Sequence, residues 1–96
     1  MQSLQEITST LRRHKSRLYA DYPIKSMAIF GSYSQNREKK SSDLDILVEF
    51  NDQIGIRFID LADELETLVG TKIDLVSRNG IKQKYYRAIS RDLIYV

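Results

Sequence analysis

Cysteine is absent from this chain of 96 residues. Disulfide stapling, thiolate nucleophiles and cysteine-bound metals are therefore excluded. Tryptophan is also absent, and the single histidine, His14, cannot build a multi-histidine metal site. One proline and four glycines leave no linker, repeat or low-complexity tract. No apolar run approaches the ~18 residues needed to cross a bilayer. Met1–Glu6 lacks the basic-then-apolar pattern of a secretory leader, so a cytoplasmic chain without membrane contact is expected. A strong charge imbalance is missing too. Lys+Arg 15 against Asp+Glu 13 leaves +2, and direct nucleic-acid binding is not expected from so even a balance. What is present suits one small domain, residues 1–96, since 42% hydrophobic residues suffice for a modest core.

The charges are unevenly spread. Residues 12–17 are basic, the carboxylates gather between Asp43 and Asp74, and the stretch Arg78–Arg91 is basic again. The first basic run reads as the solvated face of a helix. Ser3 and Glu6 have the capping-box spacing, and Leu4, Ile7, Leu11 and Leu18 recur at helical intervals until Tyr22-Pro23 ends the helix. Ile24–Phe30 is predicted as a strand covered on both faces. A short helix is expected to begin just after Ser32, followed by a loop. Asp43–Phe50 alternates as a second strand, with Leu44, Ile46, Val48 and Phe50 on one face and Asp43, Asp45, Leu47 and Glu49 on the other. Ile54–Val69 is predicted helical, with Ile59, Ala62, Leu65 and Val69 near one side and Gly70 as its stop. Phe58, Leu61 and Leu68 widen that apolar face, either for a broad core contact or for docking. Lys72–Ser77 reads as a third strand, Gly80–Arg91 as a helix capped by Asn79 with Tyr85 in the core, and Leu93–Val96 as a last short strand. This order predicts an α/β (α+β) fold, a small mixed β-sheet covered by helices.

Three features carry chemistry. Gly31-Ser32 directly follows a strand. Ten residues separate it from Asp43-Leu44-Asp45 at the head of the next strand, and Asp74 lies in the third. Asp43 and Asp45 project to the same face, where two like charges repel unless a cation lies between them. An oxygen-only donor set suits a hard ion, Mg²⁺ or Mn²⁺. With Asp74 added, three carboxylates can hold two ions ~3.5–4 Å apart, the arrangement used for in-line phosphoryl displacement. Gly31 lets a phosphate approach the backbone, and Ser32 adds a hydroxyl donor. Arg37, Lys39 and Lys40 follow in the loop and can balance a polyphosphate. Glu49 shares the aspartate face but lies ~13 Å from Asp45 along the strand, too far to join the set. With each residue type at roughly one in fifteen, Gly-Ser followed at one fixed offset by Asp-x-Asp arises by chance in ~0.2% of chains of this length.

The signature Gly31-Ser32, ten residues, Asp43-Leu44-Asp45 resembles that of the DNA polymerase beta-like nucleotidyltransferases. The segments Ile29–Tyr33, Ser42–Phe50 and Lys72–Val76, together with the chain length, resemble the minimal nucleotidyltransferase (MNT) branch. The resemblance implies the polymerase beta-like nucleotidyltransferase fold. It implies that Asp43 and Asp45 bind both metal ions, that Asp74 binds one and helps deprotonate the attacking hydroxyl, and that Gly31 and Ser32 hold the β- and γ-phosphates of ATP. Many members continue with Ala-Arg-Gly where this chain has Ser34-Gln35-Asn36, so the usual arginine is missing and Arg37 stands two residues later as its candidate substitute.

So short a chain is expected to receive its acceptor from another molecule. MNT proteins of this size resemble the antitoxins of two-gene toxin–antitoxin modules, whose partner is a HEPN-domain ribonuclease. The resemblance implies transfer of AMP from ATP to a tyrosine hydroxyl of that toxin within a hetero-oligomer. Two alternatives are an antitoxin that only binds, with a vestigial site, and a small-molecule nucleotidyltransferase whose acceptor pocket a second chain completes.

Overall fold

The computed structural model describes residues 3–39 and 42–96. Lys40, one of the three loop cations, lies outside them. The chain begins with α1, Leu4–Arg13, whose capping box is closed in both directions. The Glu6 N–H donates to Ser3 Oγ (3.1 Å), and the Ser3 N–H donates to Glu6 Oε1 (3.2 Å). The single helix expected here is divided at His14, and α2 runs Lys15–Asp21. His14 has φ −101° and ψ 5°. Its ring Nδ1 sits 2.9 Å from the Thr10 carbonyl, competing with the backbone for that acceptor. Tyr22 is extended ahead of Pro23, as the proline requires.

Strand β1, Ile24–Phe30, has the predicted bounds, and β2 is Leu44–Phe50. Helix α3 is Arg57–Val69, three residues shorter at its start than the apolar pattern suggested, and Gly70 ends it in the left-handed conformation with φ 77°. Strand β3 is Ile73–Ser77, helix α4 is Gln83–Ile89, and β4 is Ile94–Tyr95. The sheet is mixed, as expected, in the order β3-β2-β1-β4. Strands β1 and β2 are antiparallel, β4 is antiparallel to β1, and β2 and β3 are parallel with α3 as their crossover.

The main core lies between one sheet face and α1 and α3. Met27, Ile29, Leu44, Ile46 and Val48 meet Ile7, Leu11, Leu61, Leu65 and Val69 there. The phase of α3 differs from the expectation. Its buried stripe is Leu61, Leu65 and Val69, flanked by Phe58 and Leu68, whereas Ile59 is 62% exposed. Ile59 lies about 200° around the helix from Leu61, and only one of the two can face the sheet. Phe58, Leu61 and Leu68 thus serve core contact. Ala28, Phe30 and Leu47 are also buried, but by strand alternation they belong to the opposite sheet face.

The C-terminal third departs most from expectation. Arg78–Gly80 is a 3₁₀ turn rather than the start of a helix. Asn79 does not cap α4. Its Oδ1 accepts from the Phe50 N–H (3.0 Å) and its Nδ2 donates to the Phe50 carbonyl (3.4 Å), joining the end of β2 to the turn after β3. Helix α4 buries no residue, and Tyr85 is 46% exposed instead of core. Among the described residues, no helix is long and apolar enough to cross a membrane.

Candidate active site

Two strand pairings bring distant residues to one end of the sheet. Antiparallel pairing sets Asp45 opposite Phe30, the last residue of β1, with Gly31 next. Parallel pairing sets Asp74 opposite Asp45. Residues opposite one another in neighbouring strands lie about 5 Å apart and project to the same face. Asp45 and Asp74 are therefore side by side although 29 positions apart in the chain. Asp43, just before β2, is exposed beside them.

Gly31 has φ +76°, a conformation that L side chains rarely adopt. A β-carbon built there would overlap Asp45 Oδ2 and come within 3.0 Å of its Cγ. The Asp45 carboxylate consequently lies against the backbone of the Gly31-Ser32 turn.

The three carboxylates share a strained field. Asp45 is partly buried, and its carboxyl is pushed up to about 6 from 3.8, first by burial and then by the charges of Asp74 and Asp43. Among the described residues, no lysine or arginine forms an ion pair with any of the three. Uncompensated like charges on an all-oxygen donor set fit a hard divalent cation. Among the described residues, no three acidic or histidine side chains are gathered closely enough to hold a metal ion as they stand. Glu49 stays apart, paired with Lys25 at 3.7 Å.

The segment after Ser32 is a turn, not the short helix expected. The Gly31 carbonyl accepts from the Gln35 N–H (3.1 Å) and from Ser34 Oγ (2.9 Å), and the Ser32 carbonyl accepts from the Arg37 N–H (2.7 Å). Asn36 takes φ 57° to close it, which asparagine tolerates better than most residues. Among the described residues, the N–H groups of Ser32, Tyr33 and Ser34 donate to no protein acceptor. Successive N–H groups of this kind can meet an anion without a helix.

Tyr33 anchors the turn. It is 2% exposed and packs in the main core, which sequence reasoning missed. The only signal was an aromatic residue within an otherwise polar stretch. The Arg37 backbone is tied to Ser32, but its exposed guanidinium is not fixed beside the carboxylates. Gln35 donates from Nε2 to Asp92 Oδ2 (3.3 Å). A surface cleft of about 440 Å³ lined by Phe50, Ile54, Ser77 and Asn79 lies at the other end of β2 and β3, away from this chemistry.

The chain as a whole is similar to proteins of one family. The sequence pattern of the nucleotidyltransferase domain matches residues 11–96. A Methanocaldococcus jannaschii protein named "Putative protein adenylyltransferase MJ0128" is 46% identical over 98 residues, covering 100% of both chains. Protein adenylyltransferase MntA of Thermococcus cleftensis is 36% identical over 97 residues, covering 100% of this chain and 98% of that one. The solved complex of a tri-AMPylated Shewanella oneidensis HEPN toxin with an MNT antitoxin contains a chain of like fold. It superposes with a TM-score of 0.66 at 21% identity, over 93% of this chain and 70% of the other.

Proposed function

Because this chain belongs to the nucleotidyltransferase domain family, we propose that it transfers AMP from ATP to a tyrosine hydroxyl of a partner HEPN-domain toxin in the cytoplasm, and so acts as that toxin's antitoxin. The observation that carries the reading is the meeting of Gly31, Asp45 and Asp74 at one end of the sheet. The relatives' names support adenylyl transfer to protein, and the HEPN toxin complex supports the choice of acceptor.

In this reading Asp43, Asp45 and Asp74 are the residues that would hold two Mg²⁺ ions. The ions supply positive charge that offsets the triphosphate and the charge developing at the α-phosphorus. The chain's own groups do the rest. The free N–H groups of the turn and the Ser32 hydroxyl donate to the β- and γ-phosphates. That grip orients the α-phosphate toward the exposed side of Asp74. The tyrosine oxygen forms a bond to the α-phosphorus as the bond to the bridging oxygen breaks and pyrophosphate leaves. The phenolic proton passes to a carboxylate oxygen of Asp74, which is exposed and can return it to water. Arg37 can swing its guanidinium toward the departing pyrophosphate.

The test is to incubate the chain with α-labelled ATP, Mg²⁺ and the product of its neighbouring gene. Label on the partner, lost when its acceptor tyrosine becomes phenylalanine, is expected. An unlabelled partner, with every component folded, removes the proposal. A binding-only antitoxin is the second reading, motivated by the departure of the Ser34-Gln35-Asn36 loop from the Ala-Arg-Gly of many family members.

A further inference from the structure

Between Asp74 and Asp92 the chain carries no acidic residue and five cations, Arg78, Lys82, Lys84, Arg87 and Arg91. All but Arg78 are exposed. Among the described residues, none of the five has an ion-pair partner. Helix α4, at the centre of this stretch, buries no side chain. An element of a folded domain normally buries one face, so a helix with none is packed only lightly on its own protein. Tyr85 projects from it 46% exposed and Tyr95 beside it is 55% exposed, while Tyr86 lies beneath the Arg78 guanidinium at 3.8 Å. Tyrosine and arginine are the residues that most often anchor protein interfaces.

The position of this surface is as telling as its charge. The turn Ser90–Asp92 follows α4 directly, and its Asp92 receives the hydrogen bond from Gln35. Ile94, two residues on, pairs with Ile29 at the end of β1. The C-terminal end of α4 therefore borders the Gly31-Ser32 turn. At 1.5 Å per residue, Lys84 lies about 9 Å along the helix from Ser90. A protein acceptor that offers a hydroxyl to Asp74 and the turn has to rest on the surface flanking them.

We propose that α4 and its flanks, from Lys82 to Arg91, are the docking surface for the acceptor protein, and that the matching face of the acceptor is acidic, with an apolar contact for Tyr85. That the docked protein is the acceptor, and a HEPN-domain protein, rests on the functional reading above; the exposure and the positive charge of α4 do not. A single-stranded RNA is the competing occupant. It is less favoured because Tyr86 is already covered by Arg78, which leaves only Tyr85 and Tyr95 with open rings for stacking.

The experiment measures binding without ATP, so it is independent of catalysis. The product of the neighbouring gene, tested as the HEPN-domain partner, is titrated calorimetrically with the full wild-type chain and with Lys84→Glu/Arg87→Glu. A second variant, Lys84→Gln/Arg87→Gln, guards against misfolding by charge reversal, and Arg13→Glu/Lys15→Glu makes the same charge change on α1 and α2. Affinity is expected to fall at least about tenfold in the first variant, less in the second, and little in the third, with the wild-type affinity weakening in salt. No wild-type binding, unchanged binding in both α4 variants, or an equal loss in the α1/α2 control would overturn the proposal. Displacement of the HEPN protein by an oligouridylate at lower concentration would reassign the surface to RNA. Intact, α4-dependent binding without AMP transfer would leave the docking surface standing and remove only the transferase reading.

Discussion

The Asp45 carboxylate occupies the space that a β-carbon on Gly31 would fill. Two parts of the signature separated by the whole length of a turn and loop are thus in van der Waals contact. The glycine is required twice over, by its left-handed φ of +76° and by this close approach.

Gly31→Ala should therefore destabilise the protein by about 2 kcal/mol or more, from backbone strain and overlap together. It should also weaken binding of a non-hydrolysable ATP analogue by displacing Asp45. Chemical denaturation checks the first effect. A double-mutant cycle with Asp45→Ala checks the cause, because removing the carboxylate should relieve the overlap and leave the strain with one tight contact, to the β-carbon at 3.3 Å.

Asp45 titrates at about 6 in the folded chain against 3.8 when free, because burial and the neighbouring Asp74 and Asp43 disfavour its charge. The folded state thus binds the proton more tightly than the unfolded state. Its contribution to stability is full below pH 3.8 and is lost as pH rises to about 6. In the absence of divalent ions, melting temperatures across this window should fall with pH relative to Asp45→Asn, which should be the more stable of the two at pH 7. Saturating Mg²⁺ should reverse that order if the carboxylates hold the ion, and Mg²⁺ should bind less tightly below about pH 6.

Asp43→Asn combined with Asp45→Asn should lower AMP transfer by at least about a hundredfold, as expected when charge stabilisation at the α-phosphorus is removed. Chelation of divalent ions should do the same to the wild-type chain. Neutralisation of the toxin in cells distinguishes the two readings. It should disappear with transfer if the chain is an enzyme, and it should survive if binding alone silences the partner.

Ser3→Ala opens the capping box at the start of α1, far from the carboxylates along the chain. The melting temperature should drop by about 4–8 °C. Transfer per folded molecule should be unchanged, which separates loss of fold from loss of chemistry in the variants above.

The three long strands, the capped first helix and the Gly70 stop were legible because each is written in local terms: alternation, a capping pair, a residue that tolerates positive φ. The mixed sheet followed from the order of elements. The turn after Ser32 was misread as a helix because its closure depends on Asn36 adopting φ 57° and on Tyr33 being drawn into the core. Asn79 was misread as a helix cap because its partner, Phe50, is 29 residues away in the chain.

By itself, the sequence determined which residues could do chemistry. Gly31-Ser32, Asp43, Asp45 and Asp74 stand out by type and spacing, since side-chain alternation along a strand is a property of the backbone alone. Only the tertiary structure decided that Asp45 and Asp74 lie opposite one another, that Asp45 rests on Gly31, and that Ile59 and Tyr85 face outward. Strand register and helix rotation are set by which apolar side chains can be buried together, and that choice is made between segments distant in the chain.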